Sequence, residues 1–255
     1  MRSRFHIVLL MLSGLVVSGC ASSTLQTRDW SESRQLVLVT TADWDATDGV
    51  LRRYERGAHG WQPVGDTTPV TVGRAGSAWG QGLHAPQPTG PQKREGDGRA
   101  PAGVFGIGTA FGYGDAASTA LPYRAMTASD YCIDVSDSPL YDRIVDARQV
   151  GQAAVAGSTE PMRRDLHADG DSRYKLGFVI EHNPIHRAGA GSCIFANLWK
   201  APGEATAGCT AMAEPAMQQL LGWLDPERKP VFVLMPVAEL ERLRRPWELP
   251  HVPAN

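Results

Sequence analysis

The apolar runs of this 255-residue chain are short, β-branched and punctuated by glycine and proline, and that restricts it to a fold of strands and turns. Gln35-Leu36-Val37-Leu38-Val39-Thr40-Thr41 reads as a buried strand. Val50 to Arg56 follows as a second, Trp61-Gln62-Pro63-Val64 begins a third after Gly57-Ala58-His59-Gly60, and together they predict a β-meander. Pro69 to Gly73 adds a further short strand, while residues 75–98, rich in glycine, proline and charge, read as loop. Two helices are expected near the C-terminus. Glu214 to Leu224 sets Met217, Leu220, Leu221 and Leu224 on one face and stops at Asp225-Pro226. Val237 to Arg244 carries Leu240 and Leu243, after an apolar strand bounded by Pro230 and Pro236. The expected class is mainly β with a few peripheral helices.

The N-terminus adds a compartment. Arg2 and Arg4 precede an apolar run from Ile7 to Val17 that is too short to span a membrane and reads as an export signal. Val17-Ser18-Gly19-Cys20 resembles a bacterial lipobox, which makes Cys20 the lipid-carrying first residue of a mature periplasmic protein. Ala21-Ser22-Ser23, with no acid beside Cys20, is similar to outer-membrane sorting. The organisation expected is a signal over 1–19, a polar tether over 20–34, a single domain over 35–245 and a tail over 246–255. Loss of the signal leaves 23 basic against 27 acidic residues, so the mature charge is about −4 and offers no field for nucleic acid.

Export also makes the cysteines informative, because three remain once Cys20 is assigned to lipid. Cys132 and Cys193 lie in strand-like contexts and are expected to pair. Cys209 sits in Ala205-Thr206-Ala207-Gly208-Cys209-Thr210-Ala211-Met212, a small-residue loop that leaves backbone N–H groups uncovered. A helix starting at Glu214 would favour a thiolate there. The sequence leaves a Cys193–Cys209 bridge open, and that pairing would remove the nucleophile.

Three segments together resemble the L,D-transpeptidase catalytic domain family, the cysteine enzymes that remodel bacterial peptidoglycan. The first is Lys93-Arg94-Glu95-Gly96-Asp97-Gly98-Arg99-Ala100-Pro101-Ala102-Gly103-Val104-Phe105. The second is Leu176 to Asn183 with Gly191-Ser192-Cys193-Ile194-Phe195, and the third is the loop from Thr206 to Met212. The likeness spans residues 70 to 236 and implies a β-sandwich or barrel-like domain of lipoprotein type with an N-terminal β extension. It implies that Cys209 attacks a peptidoglycan stem peptide, forms a thioester and passes the acyl group to an amine or to water, with no cofactor.

The chain departs from that family at the general base, because the usual histidine position reads Asn197 and the histidine before Gly-Cys reads Ala207. An unassisted thiol with a pKa of about 8.5 is only a few per cent ionised at neutral pH. His182, on the preceding strand, is therefore the expected base, with Asn197 orienting it. Backbone N–H groups of Gly208, Cys209 and Thr210 are expected to hold the oxyanion. Lys93, Arg94 and Arg99 are candidates for a stem-peptide carboxylate. His84, His167 and His186 are weaker candidates, and the acidic run from Asp165 to Asp171 reads as a turn, not a metal loop. The competing reading is a non-catalytic wall-binding or scaffolding lipoprotein that keeps the shape of such a site and has lost its base.

Overall fold

The run from Gln35 to Thr41 is β1 (Gln35–Thr41), buried along its whole length, in a computed structural model that describes residues 30–252. The export segment 1–19, Cys20 and most of the expected tether lie outside the described residues, as do the last three of the tail. Where the tether ends the chain is already held: Trp30 packs edge-on against Trp247, with ring centroids 5.5 Å apart. On the other side, Leu249 of the expected tail is buried in the core.

Both faces of β1 are covered, which is why its sequence does not alternate. Leu36 and Leu38 pack with Tyr54, Val233 and Leu240, whereas Val37 and Val39 enter the larger cluster with Leu51, Phe105 and Phe178. The meander follows as read, β2 (Asp48–Gly57) antiparallel to β1 and β3 (Gly60–Thr71) antiparallel to β2. β3 is one strand of twelve residues where the sequence suggests two. Its outer edge meets a neighbour at Thr71 alone, and an otherwise open edge is where Pro63 and Pro69 fit.

After β4 (Ser77–Trp79), which lies in the stretch expected as loop, the thirteen-residue β5 (Ala100–Gly112) crosses the molecule and β6 (Tyr123–Ala125) pairs with its end. A small separate sheet holds β7 (Asp130–Cys132), β8 (Ile144–Asp146) and β9 (Glu160–Pro161) in the order β8-β7-β9. Three single-turn helices, α1 (Ala147–Val150), α2 (Gln152–Val155) and α3 (Arg164–His167), flank it. β10 (Leu176–Glu181), β11 (Phe195–Leu198), β12 (Thr210–Met212) and β13 (Val231–Pro236) complete the large mixed sheet. Its order is β10-β11-β12-β3-β2-β1-β13-β5-β4, and β10 also pairs with β5, so the pairings run in a closed circuit.

The two expected helices are α4 (Glu214–Trp223) and α5 (Val237–Leu243); α4 buries Met217, Leu220 and Leu221, with Leu224 buried at its cap. Among the described residues no helix is long and apolar enough to cross a membrane. Cys132 and Cys193 form a disulfide, as expected, and it joins the small sheet to the segment entering β11.

Candidate functional site

β11 and β12 run parallel, with Ala196 opposite Thr210 and Asn197 opposite Ala211. Strand alternation sends Ala196, Leu198 and Met212 into the main core. Asn197 and Cys209 therefore face the other way, toward a cavity of about 200 Å³, while Phe195 packs beside Cys209 in a separate buried cluster. Cys209 is the free cysteine of the described residues. Its Sγ accepts the Phe195 N–H at 3.4 Å and donates to the Cys193 carbonyl at 3.6 Å. Thr206 closes the loop: its Oγ1 accepts the Gly208 N–H at 3.1 Å and donates to the Cys209 carbonyl at 2.6 Å.

The thiol is held neutral. Burial pushes its pKa up to about 12, and the nearby Glu160 carboxylate adds to the shift, against smaller opposing effects of the Phe195 N–H, Arg173 and Lys93. A helix terminus contributes nothing here, because β12 lies between Cys209 and the first turn of α4. The expected lowering by a helix dipole is thus replaced by a rise.

Asn197 is 2% exposed and lines the same cavity, and its Oδ1 has no hydrogen-bond partner among the described residues. An orphaned buried carbonyl oxygen costs about 1–3 kcal/mol, so this wall of the cavity is built to receive a donor. Glu160, delivered by β9, lines the same cavity and accepts the Tyr174 hydroxyl at 2.6 Å. Burial raises the Glu160 pKa above the usual carboxylate range, despite the Tyr174 hydrogen bond and Arg164. Arg74, Arg173 and Lys200 bring positive charge to the same walls.

Comparison of the chain with protein-family models, with curated proteins and with solved structures returns no match.

The structure brings Cys209, Asn197 and Lys93 together in one cavity and keeps His182 out of it. His182 is wholly buried, with its Nδ1 accepting the Gln81 N–H at 3.2 Å and its Nε2 donating to the Ala190 carbonyl at 3.0 Å. Burial drops its pKa to about 4. With both nitrogens bound to backbone, the ring clasps β10 to the segments on either side of it and has no lone pair to offer Cys209, contrary to the sequence-based expectation. Asn183 beside it, at φ +54°, bonds the Arg187 and Gly191 carbonyls and so fixes the loop that leads to Cys193.

Other expected roles also move. The Gly208 N–H is spent on Thr206, and Thr210 is a buried member of the β11–β12 ladder, so neither stands ready as an oxyanion donor in this conformation. Arg99 is tied to Trp44, Ser77 and Asp45, and it and Arg94 lie outside the cavity. Lys93 does line it, but its ammonium is paired with Asp97 and the Arg94 carbonyl. His84 is caged by Trp79, Phe105 and Trp247, His167 bonds the Ala128 carbonyl, and His186 contacts Asp142. The acidic run holds arginines: Asp165 pairs with Arg163, and Asp171 with Arg164 and Arg173. Cys132, Cys193 and Asp142 are grouped as metal ligands would be, with both sulfurs committed to the disulfide.

Glu160, Tyr174 and Arg173 went unread in the sequence. The signal that finds them is structural, since Glu160 is the strand partner of Cys132, whose disulfide carries it to the loop before β11.

Proposed function

We propose that this chain is a cysteine acyltransferase of the L,D-transpeptidase kind that acts on peptidoglycan stem peptides, with hydrolysis where water replaces the acceptor amine. The observation that carries the reading is the unpaired Cys209 on the wall of a cavity that presents both signs of charge, Arg74, Arg173 and Lys200 with Glu160 and Glu204. An amino-acid centre bearing a free amine and a free carboxylate, as the D-centre of diaminopimelate does, fits such walls. The closed circuit of strand pairings is compatible with a barrel-like domain of that family. In the same reading Cys20 carries lipid and the domain works in the periplasm, held to the outer membrane.

Incubation with disaccharide tetrapeptide tests it. Wild-type protein should release D-alanine and Cys209→Ala should not; equal release from both would sink the assignment. The neutral thiol and Asn197 in the histidine position favour a second reading, a wall-binding lipoprotein without turnover. That reading expects sacculus binding with no acylation of Cys209 by a carbapenem, whereas the enzyme reading expects a covalent adduct by mass spectrometry.

A further inference from the structure

Acyl transfer at Cys209 needs a group to accept the thiol proton, and neither Asn197 nor the backbone-bound His182 supplies one. We propose that Glu160 is that acceptor, with the Tyr174 hydroxyl as the link between carboxylate and sulfur. The proposal takes from the preceding section only that Cys209 transfers acyl groups, and its test separates the two.

Four observations converge on the pair. Glu160, Tyr174 and Cys209 line one cavity, and the Tyr174 ring packs in the same buried cluster as the cysteine, 5.4 Å from the Phe195 ring whose backbone N–H meets the sulfur. The Tyr174 hydroxyl donates to Glu160 Oε2 at 2.6 Å, which leaves its oxygen able to accept the proton that the thiol otherwise directs at the Cys193 carbonyl. Glu160 is placed by construction: it is the ladder partner of Cys132, and the disulfide to Cys193 bolts that ladder against the site. Arg164 closes the far side, its guanidinium 3.5 Å from Glu160 Oε2 and 5.6 Å from the centre of the Tyr174 ring. The other charges that face the group are Asp134, which resists its ionisation, and Arg173, which favours it; Lys93 faces the sulfur.

The step balances. The sulfur lone pair forms the C–S bond to the carbonyl carbon as the C=O π pair moves onto its oxygen, while the thiol proton passes to the Tyr174 oxygen and the Tyr174 proton passes to Glu160. When the tetrahedral intermediate collapses, the C–N bond breaks and the departing amine regains a proton by the reverse route. A carboxyl group with a raised pKa is suited to both halves, because it holds a proton more firmly than an ordinary carboxylate and can still give it back.

A base and a mere neighbouring charge have opposite signatures. Glu160 holds the Cys209 pKa up, so as a bystander its neutralisation would release thiolate and speed the reaction; as a base its loss slows it. The experiment follows single-turnover transfer from 4-nitrophenyl acetate across the acid-to-neutral range, with Cys209→Ala as the blank. Wild type should exceed the blank and lose rate as acid protonates Glu160. Glu160→Gln should run about 100-fold slower with that acid limb gone, and Glu160→Asp should recover part of the rate and the limb. Tyr174→Phe, which keeps the charge and breaks the link, should also slow by at least about tenfold, and serves if Glu160→Gln fails to fold. A Glu160→Gln or Tyr174→Phe rate equal to or above wild type overturns the proposal, as does wild type at the level of the blank. Loss of D-alanine release with this profile intact would refute the stem-peptide reading and leave Glu160 as the acceptor.

Discussion

At the scale of single residues, burial governs the ionisable groups around Cys209, and its sign can be followed. A thiol raised to about 12 should show no ultraviolet thiolate band, taken as wild type minus Cys209→Ala, until strongly alkaline pH. Asn197→His sets an imidazole on the cavity wall and should bring that band down by at least about one pH unit; an unchanged titration would mean that position 197 does not address the sulfur. Asp142 is a second case. Its Oδ1 accepts the Cys193 N–H at 2.9 Å, and burial still lifts its pKa to about 7. A carboxyl raised in the folded state binds its proton more tightly there than when unfolded, so its contribution to stability is present in acid and fades as pH rises from about 4 to 7. His182, lowered to about 4, runs the other way and loses its contribution as pH falls from about 6.5. The two oppose each other across one window. Asp142→Asn keeps an acceptor for Cys193 and removes the charge, so its melting temperature should exceed that of wild type at pH 8 and match it near pH 4; a lower value at pH 8 would contradict the burial argument.

At the scale of elements, what the sequence revealed was set by local pattern. β1, α4 and α5 were legible because one run of apolar residues or one helical stripe is buried along its full length. The join of two short runs into β3 was not, since proline tolerance depends on which edge of the sheet is open, and that is decided by distant strands. The segment from Lys93 to Phe105 was read for charge, whereas Lys93 and Arg99 brace the fold and a glycine of its strand permits close approach. Gly103, inside β5 at φ +139°, is the sharpest instance: a Cβ there would lie 2.0 Å from His84 Nε2. Gly103→Ala should therefore cost more than about 2 kcal/mol in denaturant unfolding, through backbone strain and displacement of the caged ring. A cost near zero would mean that His84 swings away freely.

At the scale of the whole molecule, the candidate site is an assembly of two sheets, and this is why Cys209 could be singled out in the sequence and its spatial neighbours could not. Cys209 and Asn197 come from adjacent strands of the large sheet, close in sequence and recognisable by motif. Glu160 arrives on the small sheet, which a covalent bond between Cys132 and Cys193, 61 residues apart, ties to the segment entering β11. Closing a loop of that length in the unfolded chain is worth roughly 4 kcal/mol on the chain-entropy argument. The double variant Cys132→Ala/Cys193→Ala should lose about that much stability in equilibrium denaturation, and in folded material it should also lose acyl transfer at Cys209, because the ladder that presents Glu160 is no longer anchored. The two losses separate the roles of the bridge. A destabilised variant that still transfers acyl groups at the wild-type rate would reduce the disulfide to a staple and leave the small sheet able to find its place through packing alone; loss of both ties the chemistry of the site to the formation of the bridge.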